Sequence, residues 1–372
     1  MGKLSRRAAR ALYKNGIKPQ LFKKHPDDVH HRMVSSARHF GRGAGPLRIL
    51  AHKDKRLEQD LFGLHFANPI GISAGLDKNA EMPHVARAIG CGFTTVGSLT
   101  DTPRRGNERP WFYRLPKTRS LVVHVGMANI GLDKIIPRLK RRPRQFPLVA
   151  SVAVVSQKPG CNQAAIIADA CAAARRLKDP ALCDAVEINI SCPNVADDQP
   201  FTRAPALKKL LTAVDALQLD KPVFIKMPNL ADWSRYQEIL DVIVQHNVQA
   251  VVVANLVKDR SAVALHDDLP ADVKGGLSGE PCRERSLELI RQTYAYCGDR
   301  LKIIGVGGTF TAQDAYDKIR AGASLVGMIT GLIFEGPQVV GEINAGLSEF
   351  LEKDGHDSVR AAVGTDSRLL QK

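Results

Sequence analysis

No stretch of this 372-residue chain approaches the roughly 18 consecutive apolar residues that a membrane-crossing helix needs, so the sequence predicts no span. The N-terminus also lacks the apolar core of a secretory signal. The seven cysteines, at 91, 161, 171, 183, 192, 282 and 297, form no Cys-x-x-Cys pair and no zinc-like spacing with histidine. That argues against a metal site, and the odd count points to reduced thiols facing the cytosol. Acidic residues are missing altogether from the first 24 positions. Hydrophobic residues are not scarce: at 44% they suffice for a large core.

The acid-free start belongs to a wider charge asymmetry. Residues 1–56 hold 15 Lys and Arg against 3 Asp and Glu, a net +12 of the chain's total of +15. Within this segment, residues 25–40 place Val29, Met33, Ala37 and Phe40 on one helical face, and Pro26 with Asp27 and Asp28 suits a helix start. Leu4, Ala8, Ala11 and Leu12 form a weaker second stripe, and residues 41–46 read as a flexible joint. Basic amphipathic helices of this kind either lie on an anionic membrane surface or pack as a cap on the domain that follows. An Arg- and Lys-rich start without acids also fits a mitochondrial targeting peptide. A second basic cluster, residues 138–144, reads as a solvated face.

Beyond this segment the pattern is regular. Short runs rich in Val and Ile recur at 70–75, 93–99, 148–154, 185–191, 222–228, 250–255, 302–308 and 324–330. Helix-like stretches separate them, among them 161–178, 203–218, 231–246, 282–298 and 311–321. Eight strand-helix alternations predict a (β/α)8 TIM barrel, with a doubly wound sheet as the competing arrangement. The expected division is a basic helical segment at 1–56, a barrel at 57–352 and a tail at 353–372.

The most informative stretch is Glu187-Ile-Asn-Ile-Ser-Cys-Pro-Asn194. Val186, Ile188 and Ile190 alternate as in a buried strand, and Pro193 ends it by removing a backbone donor. Asn189, Cys192 and Asn194 are left at its mouth, two amides flanking a thiol that can accept a proton.

This octet resembles the catalytic loop of the dihydroorotate dehydrogenases, flavoenzymes of pyrimidine synthesis. Phe66-Ala-Asn-Pro-Ile-Gly-Ile-Ser-Ala-Gly-Leu-Asp-Lys78-Asn, Val96-Gly-Ser-Leu-Thr100, Gly106-Asn107, Arg114-Leu-Pro116, Phe224-Ile-Lys226, Gly275-Gly-Leu-Ser-Gly279, Ile304-Gly-Val-Gly-Gly308 and Phe334-x-Gly336-Pro337 follow in the family's order. The N-terminal Leu21-Phe22 and His25-Pro-Asp-Asp-Val-His30 resemble the helices of class 2, the quinone-reducing, membrane-associated branch, where they form a quinone tunnel.

The resemblance implies one FMN per chain, held by Ala74, Gly75, Lys78, Ser98, Asn189, Lys226, Ser278, Gly279, Gly307, Gly308, Ile329 and Thr330. The chemistry agrees at two places. Glycine turns after the seventh and eighth strands are where barrels bind phosphate, and a lysine at a strand end (Lys226) can stabilise a ring that turns negative on reduction. The resemblance further implies that Lys78, Asn189, Asn194 and Asn255 hold dihydroorotate or a related dihydropyrimidine, that Cys192 is the catalytic base, and that a quinone accepts the electrons. It places the chain peripherally on the cytoplasmic face of an inner membrane, with the mitochondrial inner membrane as the alternative.

Several positions depart from the class 2 pattern. Cys192 stands where class 2 has Ser and class 1 has Cys. Val123 and Leu256 replace a substrate-binding Asn and Thr, Ser151 or a neighbour replaces a flavin-contacting Asn, and Val195 replaces a relay Thr. On the quinone side, an Arg is expected to align with Trp111 and a Tyr with Ile329. Two further classes stay open. A tRNA dihydrouridine synthase is also a basic flavin barrel with a catalytic Cys, but only about 35 residues follow Phe334-Glu-Gly-Pro337, too few for its helical RNA-binding domain, so no nucleic-acid partner is expected. The other is a flavin-binding, non-catalytic membrane protein.

Overall fold

The computed structural model describes residues 2–155, 161–191, 199–261 and 263–369. It opens with α1 (Gly2–Leu12), a π-helical turn (Tyr13–Ile17), α2 (Lys18–Phe22) and α3 (Pro26–Phe40). The start of α3 follows from its residues: Pro26 is pre-set for the first turn, Asp27 and Asp28 meet the helix N-terminus, and the His25 ring accepts from the Asp27 N–H. The joint expected at 41–46 is not a loose linker. It folds into two 3-10 turns, Gly41–Gly43 and Gly45–Leu50, and Gly41 lies buried beside His84 and Val85.

A two-stranded hairpin, β1 (Gln59–Leu61) and β2 (Leu64–Phe66), leads into the barrel. Its two-residue turn, Phe62-Gly63, has both φ angles positive (58° and 74°), the twist that a tight hairpin needs. The Phe62 ring packs 4.9 Å from that of Phe224 and, with Phe66 and Phe93, closes the floor of the barrel.

The remaining strands are β3 (Ile70–Ile72), β4 (Phe93–Leu99), β5 (Phe112–Leu115), β6 (Ser120–Val123), β7 (Leu148–Ala153), β8 (Ala185–Asn189), β9 (Val223–Lys226), β10 (Ala250–Val253), β11 (Gly276–Leu277), β12 (Lys302–Val306) and β13 (Leu325–Met328). Eight of them, β3, β4, β7, β8, β9, β10, β12 and β13, close a parallel barrel in that order. They are the eight apolar runs of the sequence. Around them lie α4 (Pro83–Ala88), α5 (Leu132–Leu139), α6 (Gln163–Arg176), α7 (Ala204–Asp215), α8 (Trp233–Ile243), α9 (Arg283–Cys297), α10 (Ala312–Ala321), α11 (Thr330–Glu335) and α12 (Val339–Lys353). Two short helices follow, Val359–Ala362 and Thr365–Leu369, tied to α10 by an Arg320–Asp366 ion pair and a Ser367–Ala321 hydrogen bond.

Helix starts are set by side chains. Asn162, Asp232 and Thr311 each cap the helix that follows, Thr311 in a reciprocal pair with Asp314. A separate antiparallel sheet, β5-β6-β11, stands over the C-terminal end of the barrel. The basic cluster at 138–144 is only partly solvated. Arg138 pairs with Glu81 at 3.1 Å and Arg142 forks onto Asp184 at 2.5 and 2.7 Å, so both guanidiniums tie loops together. No helix of the described residues is long and apolar enough to cross a membrane.

Candidate active site at the C-terminal end of the barrel

The strand ends carry the polar residues. After β3 the chain turns through Ser73, Ala74 and Gly75 to Asp77 and Lys78. The buried Asp77 carboxylate accepts the backbone N–H groups of Glu81 and Met82, both at 2.8 Å, and of Asn79 at 3.3 Å, while its carbonyl accepts that of Gly97 at 2.7 Å. These bonds hold the loop so that Lys78 enters the cavity. Its Nζ donates to Gly75 O at 3.0 Å, meets His30 Nε2 of α3 at 2.9 Å, and lies 5.1 Å from the centre of the Phe112 ring. Burial pushes the Lys78 ammonium down to about 8, against the opposing pull of Asp77, Asp27 and Glu81. Burial, and then the Lys78 charge, push His30 down to about 2. A neutral imidazole beside a charged lysine leaves Nε2 as the acceptor.

Ser98, near the end of β4, receives the amide N–H of Asn189 at 2.9 Å and contacts the Ser151 hydroxyl at 2.9 Å. Ser151 in turn donates to the buried Glu187 at 2.6 Å. Lys226 ends β9; it is 6% exposed, and among the described residues its hydrogen bond is a long one, 3.4 Å to Ala74 O. Asn255 donates to the carbonyl and hydroxyl of Ser191 at 2.8 and 3.1 Å, and the Ser191 hydroxyl donates to Lys226 O.

Opposite these residues lie the glycine turns. Gly307 and Gly308 follow β12 at φ 114° and 66°, and Thr330 Oγ1 at the end of β13 donates to the Ser278 hydroxyl at 2.9 Å. Gly331 has to be glycine, since a Cβ there would overlap Thr309 O. Thr309, beside it, has a hydroxyl buried with no hydrogen-bond partner among the described residues. A buried cation with one long bond and an orphaned hydroxyl by the glycine turns are what an absent anionic ligand would satisfy.

The other wall of the cavity comes from the N-terminus. Tyr13, Leu21, Phe22, Pro26, Val29, His30, Met33 and Val34 face Phe112, Arg114, Leu121 and Val123 across it, and the enclosed volume is about 360 Å³. The helices are clamped in place. Asp27, buried, accepts the N–H of Trp111 at 3.0 Å and of Phe112 at 3.0 Å. Tyr13 Oη donates to Ile333 O at 2.6 Å, and Lys14 pairs with Glu335 at 2.5 Å. Arg114 donates to Phe22 O and Lys24 O and stacks 4.8 Å from the Phe22 ring.

All twelve residues expected to hold the cofactor line this single cavity, and Asn255 joins them. Cys192, Asn194 and Val195 lie outside the described residues. Val123, Leu256 and Ile329 also face the cavity. Two expectations need correcting. Trp111 is not in the cavity wall: its indole donates to Asn107 O at 2.7 Å, and the alternation of β5 turns Phe112 and Arg114 inward instead, so the apolar end keeps an arginine. Ser151 does not line the cavity either; it lies one layer below and reaches it through Ser98. Sequence reasoning missed Asp27, Asp77, Glu187 and Thr309 as parts of the site. Only Glu187 carried a signal, a carboxylate between two buried aliphatic residues of a strand.

A family model described as dihydroorotate dehydrogenase matches residues 56–351. The dihydroorotate dehydrogenase (quinone) of Deinococcus deserti is 34% identical, covering 96% of this chain and all of its own length. That of Parvibaculum lavamentivorans is 36% identical, over 88% of this chain and 92% of its own. A crystal structure of the Eimeria tenella enzyme in complex with ferulenol superposes with a TM-score of 0.79 at 26% identity, over 92% of this chain and 96% of that one. With a family model matched over residues 56–351, relatives 34 and 36% identical over most of the chain and a shared fold, the chain belongs to the dihydroorotate dehydrogenase family, whose members are flavin-dependent.

Proposed function

We propose that this chain is an FMN-dependent dihydroorotate dehydrogenase that passes electrons to a quinone. The observation that carries the reading is the convergence of Lys78, Ser98, Asn189, Lys226, Ser278 and Thr330 on one cavity whose other end is apolar and built by the N-terminal helices. The first end suits a polar ring system with a phosphate tail, the second a lipid-soluble acceptor. The quinone named in the relatives' activity supports the same assignment.

FMN, when bound, would supply the hydride acceptor and the redox chemistry. The protein's own residues do the rest. Lys226 would offset negative charge on the ring system held there. Thr309, Gly307, Gly308 and Thr330 would hold the phosphate. Lys78 holds the substrate carboxylate, and Asn189, Asn194 and Asn255 hold the ring amides. Cys192 Sγ takes the proton from the ring carbon next to the one bearing the carboxylate, and that neighbouring carbon gives up the hydride. A thiol, with an ordinary pKa of about 8.5, ionises far more readily than the serine hydroxyl of the class 2 pattern.

The same reading places the chain peripherally on an anionic membrane surface. Leu4, Leu12, Ile17, Met33, Phe40 and Ile49, the exposed large apolar side chains of the described residues, all fall within the basic N-terminal segment, and Met33 also lines the cavity. The purified protein is expected to show a flavin absorbance band that dihydroorotate bleaches anaerobically and that a soluble quinone restores. No band after reconstitution with FMN, or a band untouched by dihydroorotate, would refute the proposal.

A further inference from the structure

Glu187 is the one carboxylate on the inward face of β8, 1% exposed and in register with Ser151 on β7. Its burial is not explained by an ion pair: among the described residues its partner is the Ser151 hydroxyl at 2.6 Å. The contacts beyond Ser151 form a chain whose direction can be worked out. A hydroxyl has one proton. Ser151 gives its proton to Glu187, so the 2.9 Å contact with Ser98 must be donated by Ser98. Ser98 has then used its own proton, so it accepts from Asn189 Nδ2 at 2.9 Å.

The sequence Asn189 to Ser98 to Ser151 to Glu187 thus runs one way, from the cavity to a buried negative charge. Flipping the Asn189 amide would set its oxygen against a hydroxyl whose proton is committed elsewhere, and would also lose the Ser191 N–H that Asn189 Oδ1 accepts at 3.2 Å. Bonds in such a chain strengthen one another, most when one end is charged.

We propose that Glu187 is a positioning residue: through Ser151 and Ser98 it fixes the Asn189 amide so that its second N–H is presented to an acceptor on the substrate ring bound in the cavity. Its charge also lies in the barrel layer beneath the cavity and opposes Lys226, on the neighbouring strand, in setting how readily the flavin is reduced. This rests on the flavin reading given above. Two variants separate the two effects. Glu187→Gln keeps an acceptor for Ser151 and removes the charge. Ser151→Ala breaks the chain and keeps the charge.

The experiment measures the flavin midpoint potential and orotate affinity in the full-length holoprotein and its variants. Glu187→Gln is expected to favour the reduced flavin by about tenfold, roughly a 30 mV rise for a two-electron couple, with orotate affinity changed less than about threefold. Ser151→Ala is expected to weaken orotate about tenfold, and Ser151→Thr, which restores the hydroxyl, to recover most of that loss. Equal orotate affinity in Ser151→Ala and the parent, or an unchanged potential in folded Glu187→Gln, overturns the proposal. Should Glu187→Gln fail to fold, the Ala and Thr pair at Ser151 decides it alone: indistinguishable affinities for the two overturn it. A parent protein without bound flavin removes the underlying reading as well, whereas normal flavin with unmoved variants removes only this inference.

Discussion

Orotate affinity is expected to fall with rising pH, and Lys78 sets where. Its ammonium is buried, with burial as the largest influence and Asp77, Asp27 and Glu81 pulling the other way; the balance brings it from 10.5 down to about 8. Only the charged form can pair with a carboxylate. About nine tenths of the unliganded protein carries that charge at pH 7 and about one tenth at pH 9, so the dissociation constant is expected to rise roughly tenfold across that interval. Removing the partner altogether, as in Lys78→Met, forfeits a hydrogen bond to a charged group, about 1.5–3 kcal/mol or 10- to 150-fold in affinity. It should also flatten the pH dependence.

The same shift has a consequence for folding. A lysine whose folded pKa is depressed contributes stability above its unfolded value of 10.5 that is lost as the pH falls through about 8. The unliganded protein is therefore expected to gain stability from this group between about pH 8 and 10.5, a gain that Lys78→Met lacks. Titration of orotate against the flavin absorbance at half-unit pH steps gives the first test, and denaturant midpoints the second. Parental affinity that stays flat from about pH 6.5 to 9.5, or a Lys78→Met protein with the parental slope, would refute the reasoning.

Three other outcomes are expected. Cys192→Ala should keep its flavin but slow anaerobic flavin reduction by dihydroorotate at least ~100-fold, the usual loss when a general base is removed; reduction at the parental rate in stopped flow would show that another group takes the proton. Met33→Asp with Phe40→Asp removes two exposed apolar side chains, each worth about 1.5–3 kcal/mol if fully buried in lipid, and should abolish binding to anionic vesicles in a sedimentation assay while flavin stays bound. Undiminished binding would contradict the membrane assignment. Val123→Asn with Leu256→Thr should tighten orotate by about tenfold or more, while placing a polar group among Leu121, Phe22 and Ile333 lowers unliganded stability by about 1–3 kcal/mol. An orotate dissociation constant unmoved by the pair would mean that neither position faces the substrate.

The barrel was readable because its strands are runs of Val and Ile buried on both faces, a pattern that no surface element mimics. The expected strands nevertheless overran at one end. Residues 70–75 shrink to Ile70–Ile72, 185–191 to Ala185–Asn189, and 302–308 to Lys302–Val306. Each overrun is at the C-terminal end, where the backbone stops pairing with its neighbours and begins to build the site, as Gly307 and Gly308 do at positive φ. Periodicity does not see that change, because most of these residues, Ser73, Ala74, Ile190, Ser191 and Gly308 among them, remain buried. The β5-β6-β11 sheet was invisible for a different reason: β11 is two residues long and joins through pairing with β6, more than 150 positions earlier. Cross-strand chemistry was likewise hidden. Glu187 is visible as a charge in an apolar strand, but that it meets Ser151 is a matter of register, which the sequence does not print.

The same limit explains why the N-terminal segment looked separable. Its charge and apolar stripe describe a surface helix, and Met33 and Phe40 are exposed as that predicts. Yet Asp27 and His30 turn the opposite way. Asp27 accepts two backbone N–H groups at the start of β5, which fixes α3 at a set height over the barrel, and that height brings His30 to Lys78. Lys78 therefore has a protein partner on each side, Gly75 O from the barrel and His30 from the cap. One buried ammonium joins the polar end of the cavity to the apolar end. The helix that exposes Met33 and Phe40 also carries His30, so α3 itself links the outer surface of the cap to the lysine of the cavity, with no intervening element.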